Sequence, residues 1–211
     1  MAHLRKPLTI ALGANTVVLV VESVGGIEAN SLSLITDAVH NLSDEVALAF
    51  LLLAYSLRTG LSSHFLRSAN LFNSIGLFTI SGLLVWQAIE RLIHPQPVLS
   101  VVPIVAGLLA SAGNWFVAKA LQEPSKEDLA IRLAYVHNLG DMLVSLAPVL
   151  AGIAMLATGS YLFDPAIAIG IASVIVVTTL QAIRGSAAVL LWPENVVCGG
   201  SVSQRTERGN S

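Results

Sequence analysis

The chain has 211 residues and a formal net charge of -2; 55% of its residues are hydrophobic and only 11% are charged. About a quarter of the residues of a soluble domain are charged, so this composition, with a mean hydropathy of +0.76, indicates an integral membrane protein. No basic patch points to nucleic acid, and the single cysteine, Cys198, excludes an internal disulfide framework and a cysteine-based metal cluster.

Six segments are predicted to span a membrane, which requires about 20 mostly apolar residues per helix. They are separated by charged segments or by segments rich in Pro and Gly. In chain order the predicted spans are residues 8–27, 32–57, 71–93, 98–121, 129–157 and 165–191. Before the last of them, Asp164-Pro165 is typical of a helix N-cap and first turn. The predicted fold class is therefore an all-α membrane protein with six transmembrane helices.

Two short ends flank this transmembrane domain of residues 8–191. Residues 1–7 are predicted to be an N-terminal segment, and the first span lacks an Ala-x-Ala-like cleavage site, so we expect it to be retained. Residues 192–211 are polar and too few to bury a core, so we expect a disordered tail. Ten of the eleven Lys and Arg residues fall on the side shared by both termini, and only Arg91 falls opposite. Because cytoplasmic loops carry an excess of basic residues, both termini are predicted to be cytoplasmic.

A pentapeptide occurs twice in otherwise apolar spans, as His40-Asn41-Leu42-Ser43-Asp44 in the second span and as His137-Asn138-Leu139-Gly140-Asp141 in the fifth. On a helix, His and Asp four positions apart lie on one face. Two such helices supply four ligands. Each ionisable group in hydrocarbon costs roughly 2.5–3.5 kcal/mol, so the matched motifs are predicted to be functional.

The depth of the motifs follows from the helical rise of about 1.5 Å per residue. His40 and Asp44 lie ~12 and ~18 Å below the outer end of the second span, and His137 and Asp141 lie ~12 and ~18 Å above the inner end of the fifth. In a hydrocarbon core ~30 Å thick, His40 is level with Asp141 and Asp44 with His137. The motifs lie three spans apart and therefore run in opposite directions, as in the inverted repeats of transporters with midplane substrate sites.

Two imidazoles and two carboxylates form a ligand set suited to tetrahedral Zn(II). Such ligands also bind Co(II), Cd(II), Ni(II) or Fe(II). Two Asp anions and one divalent cation sum to zero charge, whereas the empty site has two negative charges that attract protons. The predicted cargo is a divalent metal ion exchanged for protons, with no prosthetic group.

The sequence around these motifs resembles that of the cation diffusion facilitators, the zinc-transporter family. Residues 31–44 (SLSLITDAVHNLSD) resemble the family's second span, and residues 135–141 (YVHNLGD) resemble its fifth. The resemblance continues through Asn15 and Glu22, through residues 87–98 and through Asp164-Pro165. It implies a cation-efflux transporter-like bundle in a bacterial inner membrane, which exports Zn(II) from the cytoplasm in exchange for protons. By motif, its transport-site ligands are His40, Asp44, His137 and Asp141.

Most members of this family have a cytoplasmic metal-binding domain after the sixth span. Since the chain ends soon after Leu191, we expect a form that lacks this domain and a homodimer that depends on contacts between membrane helices. Two alternatives remain: a transport-inactive partner subunit that binds metal, and an intramembrane metallohydrolase. Four protein ligands leave no open coordination position for water, so we do not expect an enzyme.

Other polar residues of the spans receive structural interpretations. Asp37 is expected near the outer mouth, as a gate or as an ion-attracting carboxylate in water. Glu45 points about 100° away from Asp44 and is expected to pair elsewhere. Asn15, Glu22 and Asn114 are interpreted as interhelical contacts or cavity linings. Asn41 and Asn138 are interpreted as hydrogen-bonding partners that hold the ligands or as interhelical contacts.

Overall fold

The computed structural model describes residues 2–56 and 63–191. In these ranges the helices are α1 (Ala2–Ala29), α2 (Leu32–Ser56), α3 (Ser63–Ile93), α4 (Val101–Leu121), α5 (Leu129–Val144), α6 (Leu146–Thr158) and α7 (Phe163–Leu191). A short 3-10 helix, Pro124–Lys126, connects α4 to α5. The described ranges contain no strand, so the predicted all-α fold class is confirmed. The predicted tail of residues 192–211, with Cys198, lies outside them.

Five helical stretches of the described chain are long and apolar enough to cross a membrane. They are Arg5–Ala29, Leu71–Ile93, Val101–Leu121, Ile131–Thr158 and Phe163–Gln181. The remaining predicted span, the second, corresponds to α2, which is 25 residues long but carries Asp37, Asp44 and Glu45. The most polar of the predicted spans is therefore the one that contains the first copy of the motif.

The ends of several helices differ from the prediction. Residues 2–7 belong to α1 and do not form a separate segment, and α3 begins at Ser63, well before residue 71. Helix α7 begins at Phe163, so Asp164 lies in its first turn and is not its N-cap. Apolar content fixed the predicted ends, whereas the residues beside a span can continue its helix, and α1 does so even through Pro7.

The fifth predicted span consists of two helices, α5 and α6, which meet at Ser145. Pro148 has no N–H and cannot donate the helical hydrogen bond to the carbonyl of Val144. The bond from Ser145 N to Asp141 O, 2.8 Å long, is still present. The span is therefore interrupted about one turn after Asp141.

The helices form two groups. Helix α1 packs against α2 and α4, and α4 packs against α5 and α6, whereas α3 packs mainly against α7. The α3–α7 pair contacts the first group through α2 and α6. Helices α4 and α6 approach so closely that a Cβ atom at Gly107 would lie 2.9 Å from the carbonyl oxygen of Ser145. A Cβ at Gly152 would lie 2.6 Å from the carbonyl oxygen of Ser100, so this interface requires glycine.

The first residues of α2 are bonded to the beginning of α7 through Asp164, which is fully buried. Its carboxylate accepts hydrogen bonds of 2.6 Å from Ser31 Oγ, Leu32 N and Ser33 Oγ. A negative group at a helix N-terminus pairs with free backbone N–H groups and with the positive end of the helix dipole. Asp164 therefore caps α2, not α7.

The turn between α1 and α2 is bonded to α3. Asn30 has a left-handed backbone conformation (φ 56), and Arg91 donates to its carbonyl oxygen at 2.6 Å and to its Oδ1 at 2.7 Å. The amide of Asn30 donates to the carbonyl of Pro97 at 3.1 Å. The side chains of Asn30 and Arg91 thus join the α1–α2 turn to α3 and to the connection that follows α3.

Candidate metal site

The two copies of the motif meet between α2 and α5. His40 Nε2 lies 3.0 Å from Asp141 Oδ1, and His137 Nε2 lies 2.8 Å from Asp44 Oδ1. Within each helix the His and Asp are farther apart, at 3.8 Å on α2 and 3.7 Å on α5. One ligand atom from each of the four residues lies within 4.8 Å of all the others. The structure therefore brings the four predicted residues together in the crosswise arrangement expected from helical rise.

This spacing suits a single tetrahedral ion. Metal–ligand bonds of about 2.0–2.2 Å place the ligand atoms of a tetrahedron about 3.4 Å apart. The four contacts between 2.8 and 3.8 Å bracket that value, so small side-chain rotations suffice to seat an ion. A nitrogen that faces a carboxylate this closely either donates a proton to it or binds a cation, and the two occupants exclude each other.

The two carboxylates are covered, and one imidazole is open. Asp44 and Asp141 are 7% and 3% exposed, whereas the side chain of His137 is 50% exposed. The rings of His40 and His137 meet edge to face, with centroids 5.5 Å apart. The cluster is therefore covered at the acids and open at His137.

A crevice of about 700 Å³ lies beside the site, between α2 and α3. Its lining is apolar except for Ser43 and Asn73, which are joined by a bond of 2.8 Å from Asn73 Nδ2 to Ser43 Oγ. Ser43 directly precedes Asp44 in α2. The loose packing of α2 against α3 thus begins at the level of the candidate ligands.

The neighbouring polar residues connect α1 to α2. Glu45 accepts a hydrogen bond from Asn15 Nδ2 at 2.9 Å and another from the hydroxyl of Thr16, so it pairs away from the site as expected. Asn41 Nδ2 donates to Glu22 Oε2 at 2.6 Å. The amide of Asn138 donates to a carbonyl of its own helix. In the described contacts, the asparagines of the two motifs do not hold the ligands.

Asp37 does not lie in an open mouth, and that expectation is wrong for this structure. It is 1% exposed, and its carboxyl group lies beside that of Glu22 and near the hydroxyl of Ser145. Asp37 and Asn41 are four residues apart on the face of α2 that meets Glu22. This spacing is a signal that could have predicted the contact, had the facing side of α1 been known.

Comparison with known proteins identifies the family to which the chain belongs. Residues 8–191 match the model of the cation efflux transmembrane domain. The chain belongs to the cation efflux family. The resemblance to the cation diffusion facilitators is thereby confirmed, and with its apolar helices the family member is a multi-pass membrane protein.

Several curated relatives show where the similarity lies. The cadmium, cobalt and zinc/H(+)-K(+) antiporter of Bacillus velezensis is 31% identical over 197 residues, which cover 89% of this chain and 63% of the relative. Zinc transporter ZitB of Escherichia coli is 35% identical over 87% of the chain and 62% of its own length. Metal cation efflux system protein CzcD of Cupriavidus metallidurans is 31% identical over 88% and 61%. The chain thus spans less than two thirds of each relative.

Proposed function

We propose that this family member is a secondary transporter that exports Zn(II) from the cytoplasm through His40, Asp44, His137 and Asp141 in exchange for protons. The crosswise pairing supports this most directly, since each Nε2 atom faces a carboxylate of the other helix at 3.0 Å or less. The same atoms hold either a metal ion or protons. Exchange is therefore a property of the ligand set itself.

Charge balance supports the same conclusion. A divalent ion neutralises the two aspartates, and protons on the imidazoles restore the balance when the ion leaves. The site then avoids a large net charge in a low-dielectric environment at both ends of the cycle. The proposed exchange needs no prosthetic group. Four protein ligands leave no coordination position for a catalytic water, so the proposed activity is not that of an enzyme.

The proposed substrates and location draw on the relatives. Their names include zinc, cadmium, cobalt and protons, and these relatives are bacterial. We place the chain in a bacterial inner membrane, with residues 8–191 as the transmembrane domain and both termini cytoplasmic. Export is the direction that the family's description as an efflux family favours.

The homodimer through membrane helices belongs to the same proposal, and the mass of the particle in lipid nanodiscs tests it.

Zinc uptake by inverted membrane vesicles with an acidic interior tests the function. Protons that leave the vesicle should drive Zn(II) inward, and Asp44→Ala should abolish the flux because it removes a ligand. Glu45→Gln is the matched control, since this neighbouring carboxylate bonds to Asn15 and Thr16 instead. A metal-binding partner subunit or a hydrolase would show no flux in the unaltered chain, which would refute the proposal.

A further inference from the structure

A pair of carboxyl groups lies outside the candidate metal site, where α1 packs against α2. Glu22 on α1 is 0% exposed and Asp37 on α2 is 1% exposed. Glu22 accepts a hydrogen bond from Asn41, and Asp37 lies one turn before Asn41 on the same face of α2, so the two carboxyl groups are neighbours. In the described part of the chain, no hydrogen bond joins either group to the four candidate ligands. We call Glu22 and Asp37 the carboxyl pair.

The oxygens of the carboxyl pair have too few donors. Asn41 Nδ2 donates to Glu22 Oε2 at 2.6 Å. Glu22 Oε1 and both carboxyl oxygens of Asp37 have no hydrogen-bond partner among the described residues. Buried oxygens are normally bonded because an unsatisfied one costs about 1–3 kcal/mol. Three such oxygens on two adjacent acids indicate that a cation belongs between them.

The surroundings do not supply that positive charge as a fixed group. The charged or titratable side chains that face the pair are Asp141 from α5 and His40 from α2. At the α5–α6 junction, Ser145 lies near Asp37, but it carries no charge and accepts a hydrogen bond from Asn114. Two adjacent ionised carboxylates repel each other, and one shared proton removes half of their charge and supplies a donor.

The geometry points to a second cation site, in which Glu22 and Asp37 share one proton. Only the role of this site rests on the proposed function, because Asp141 faces the pair and is also a candidate ligand of the metal site. At a pH where the imidazoles are neutral, an empty metal site has a charge of -2 that helps to hold the proton, and a bound divalent ion removes that help. Metal binding should therefore weaken proton binding at the carboxyl pair, and the proton that leaves goes to bulk water.

Two reciprocal variants remove the proton without removing the contact. In Glu22→Gln, the new amide can donate to Asp37, which then stays ionised with the same net charge as the protonated pair. Asp37→Asn does the same toward Glu22. Glu45→Gln is the matched control, because Glu45 lies on α2 but already has donors from Asn15 and Thr16. If one variant fails to fold, as judged by size-exclusion chromatography, the other still tests the site.

The experiment is infrared spectroscopy of the full 211-residue chain in lipid nanodiscs at pH 7. The unaltered chain should show the C=O stretch of a protonated carboxylic acid, shifted by exchange into D2O. That band should lose about one carboxyl per chain in Glu22→Gln and in Asp37→Asn, and should be unchanged in Glu45→Gln. An unchanged band in both pair variants would overturn the inference.

Two additional measurements identify the cation at the carboxyl pair and distinguish this inference from the proposed function. If the band of the unaltered chain appears only after K(+) and Na(+) are replaced by choline, the site holds a metal cation, and the proton assignment is wrong. With saturating Zn(II), the band should disappear at a lower pH than without it, and an unchanged midpoint would refute the coupling. A chain that keeps the band but fails to transport Zn(II) would refute the proposed function alone.

Discussion

The two ends of α2 differ in how they are held. Of the eight residues from Ser31 to Ala38, seven are buried, and Asp164 bonds to the backbone and hydroxyl groups where the helix begins. In residues 45–56, Leu48 is the only buried one among the described side chains, and the crevice toward α3 lies alongside. His40 and Asp44 lie between these ends. A cation site at the boundary between a bonded end and a loosely packed end can be closed on one side and open on the other.

Asp164→Ala is expected to have the largest effect on stability, because it removes the hydrogen bonds that hold the N-terminal end of α2. The Leu32 N–H and the hydroxyls of Ser31 and Ser33 would lose a buried acceptor, and each unsatisfied group costs about 1–3 kcal/mol. We expect a loss of about 3 kcal/mol in unfolding free energy, measured by circular dichroism during denaturation in detergent. Asp164→Asn keeps one acceptor oxygen and should lose about half as much. Equal losses in both variants would contradict the capping role.

Zn(II) bound at the candidate site, which lies between the two ends of α2, should stabilise the folded chain. At a free concentration 100 times its Kd, an ion that binds only the folded state adds about 2.7 kcal/mol. Thermal unfolding of the unaltered chain should therefore shift upward with Zn(II). His137→Ala should show a much smaller shift, and Glu45→Gln should keep the full one. A full shift in His137→Ala would remove that residue from the ligand set.

Glycine substitutions compare the packing of the two ends directly. A Cβ at Gly26 would lie 2.8 Å from Ile35 Cγ1 and 3.1 Å from Ile35 N, whereas a Cβ at Gly76, beside the crevice, meets nothing within 4 Å. Gly26→Ala should destabilise by about 1–3 kcal/mol because a packed interface has no room. Gly76→Ala should be neutral or should stabilise by up to about 1 kcal/mol through helix propensity. Equal effects in chemical denaturation would mean that the ends are packed alike.

Ser43→Ala should have the smallest effect, because it removes a single half-buried bond across the loose end. The loss of the 2.8 Å bond from Asn73 is expected to cost about 1 kcal/mol. Because this bond spans the crevice, the variant should speed hydrogen exchange in α3 near Asn73 more than near Arg91. Faster exchange near Arg91 instead would show that the bonded end depends on this bond.

The sequence predicted what depends on helical periodicity and rise. The level pairing of His40 with Asp141 and of Asp44 with His137 followed from 1.5 Å per residue in a core of about 30 Å. The capping of α2 by Asp164 did not, because a carboxylate before a proline is a local N-cap signal and its actual partner is 132 residues away. The burial of Asp37 depends on which face of α1 meets α2, and the apolar residues of α1 are spread around the helix, so they do not mark that face.

The crosswise pairing in the metal site restricts how the bundle can change shape. Each imidazole bonds to the acid of the opposite helix, so either occupant, metal ion or protons, links α2 to α5 at nearly the same separation. A rearrangement that keeps these two pairs intact must therefore move α2 and α5 together at this level. The crevice at the boundary between α2 and α3 provides free volume next to this linked pair of helices.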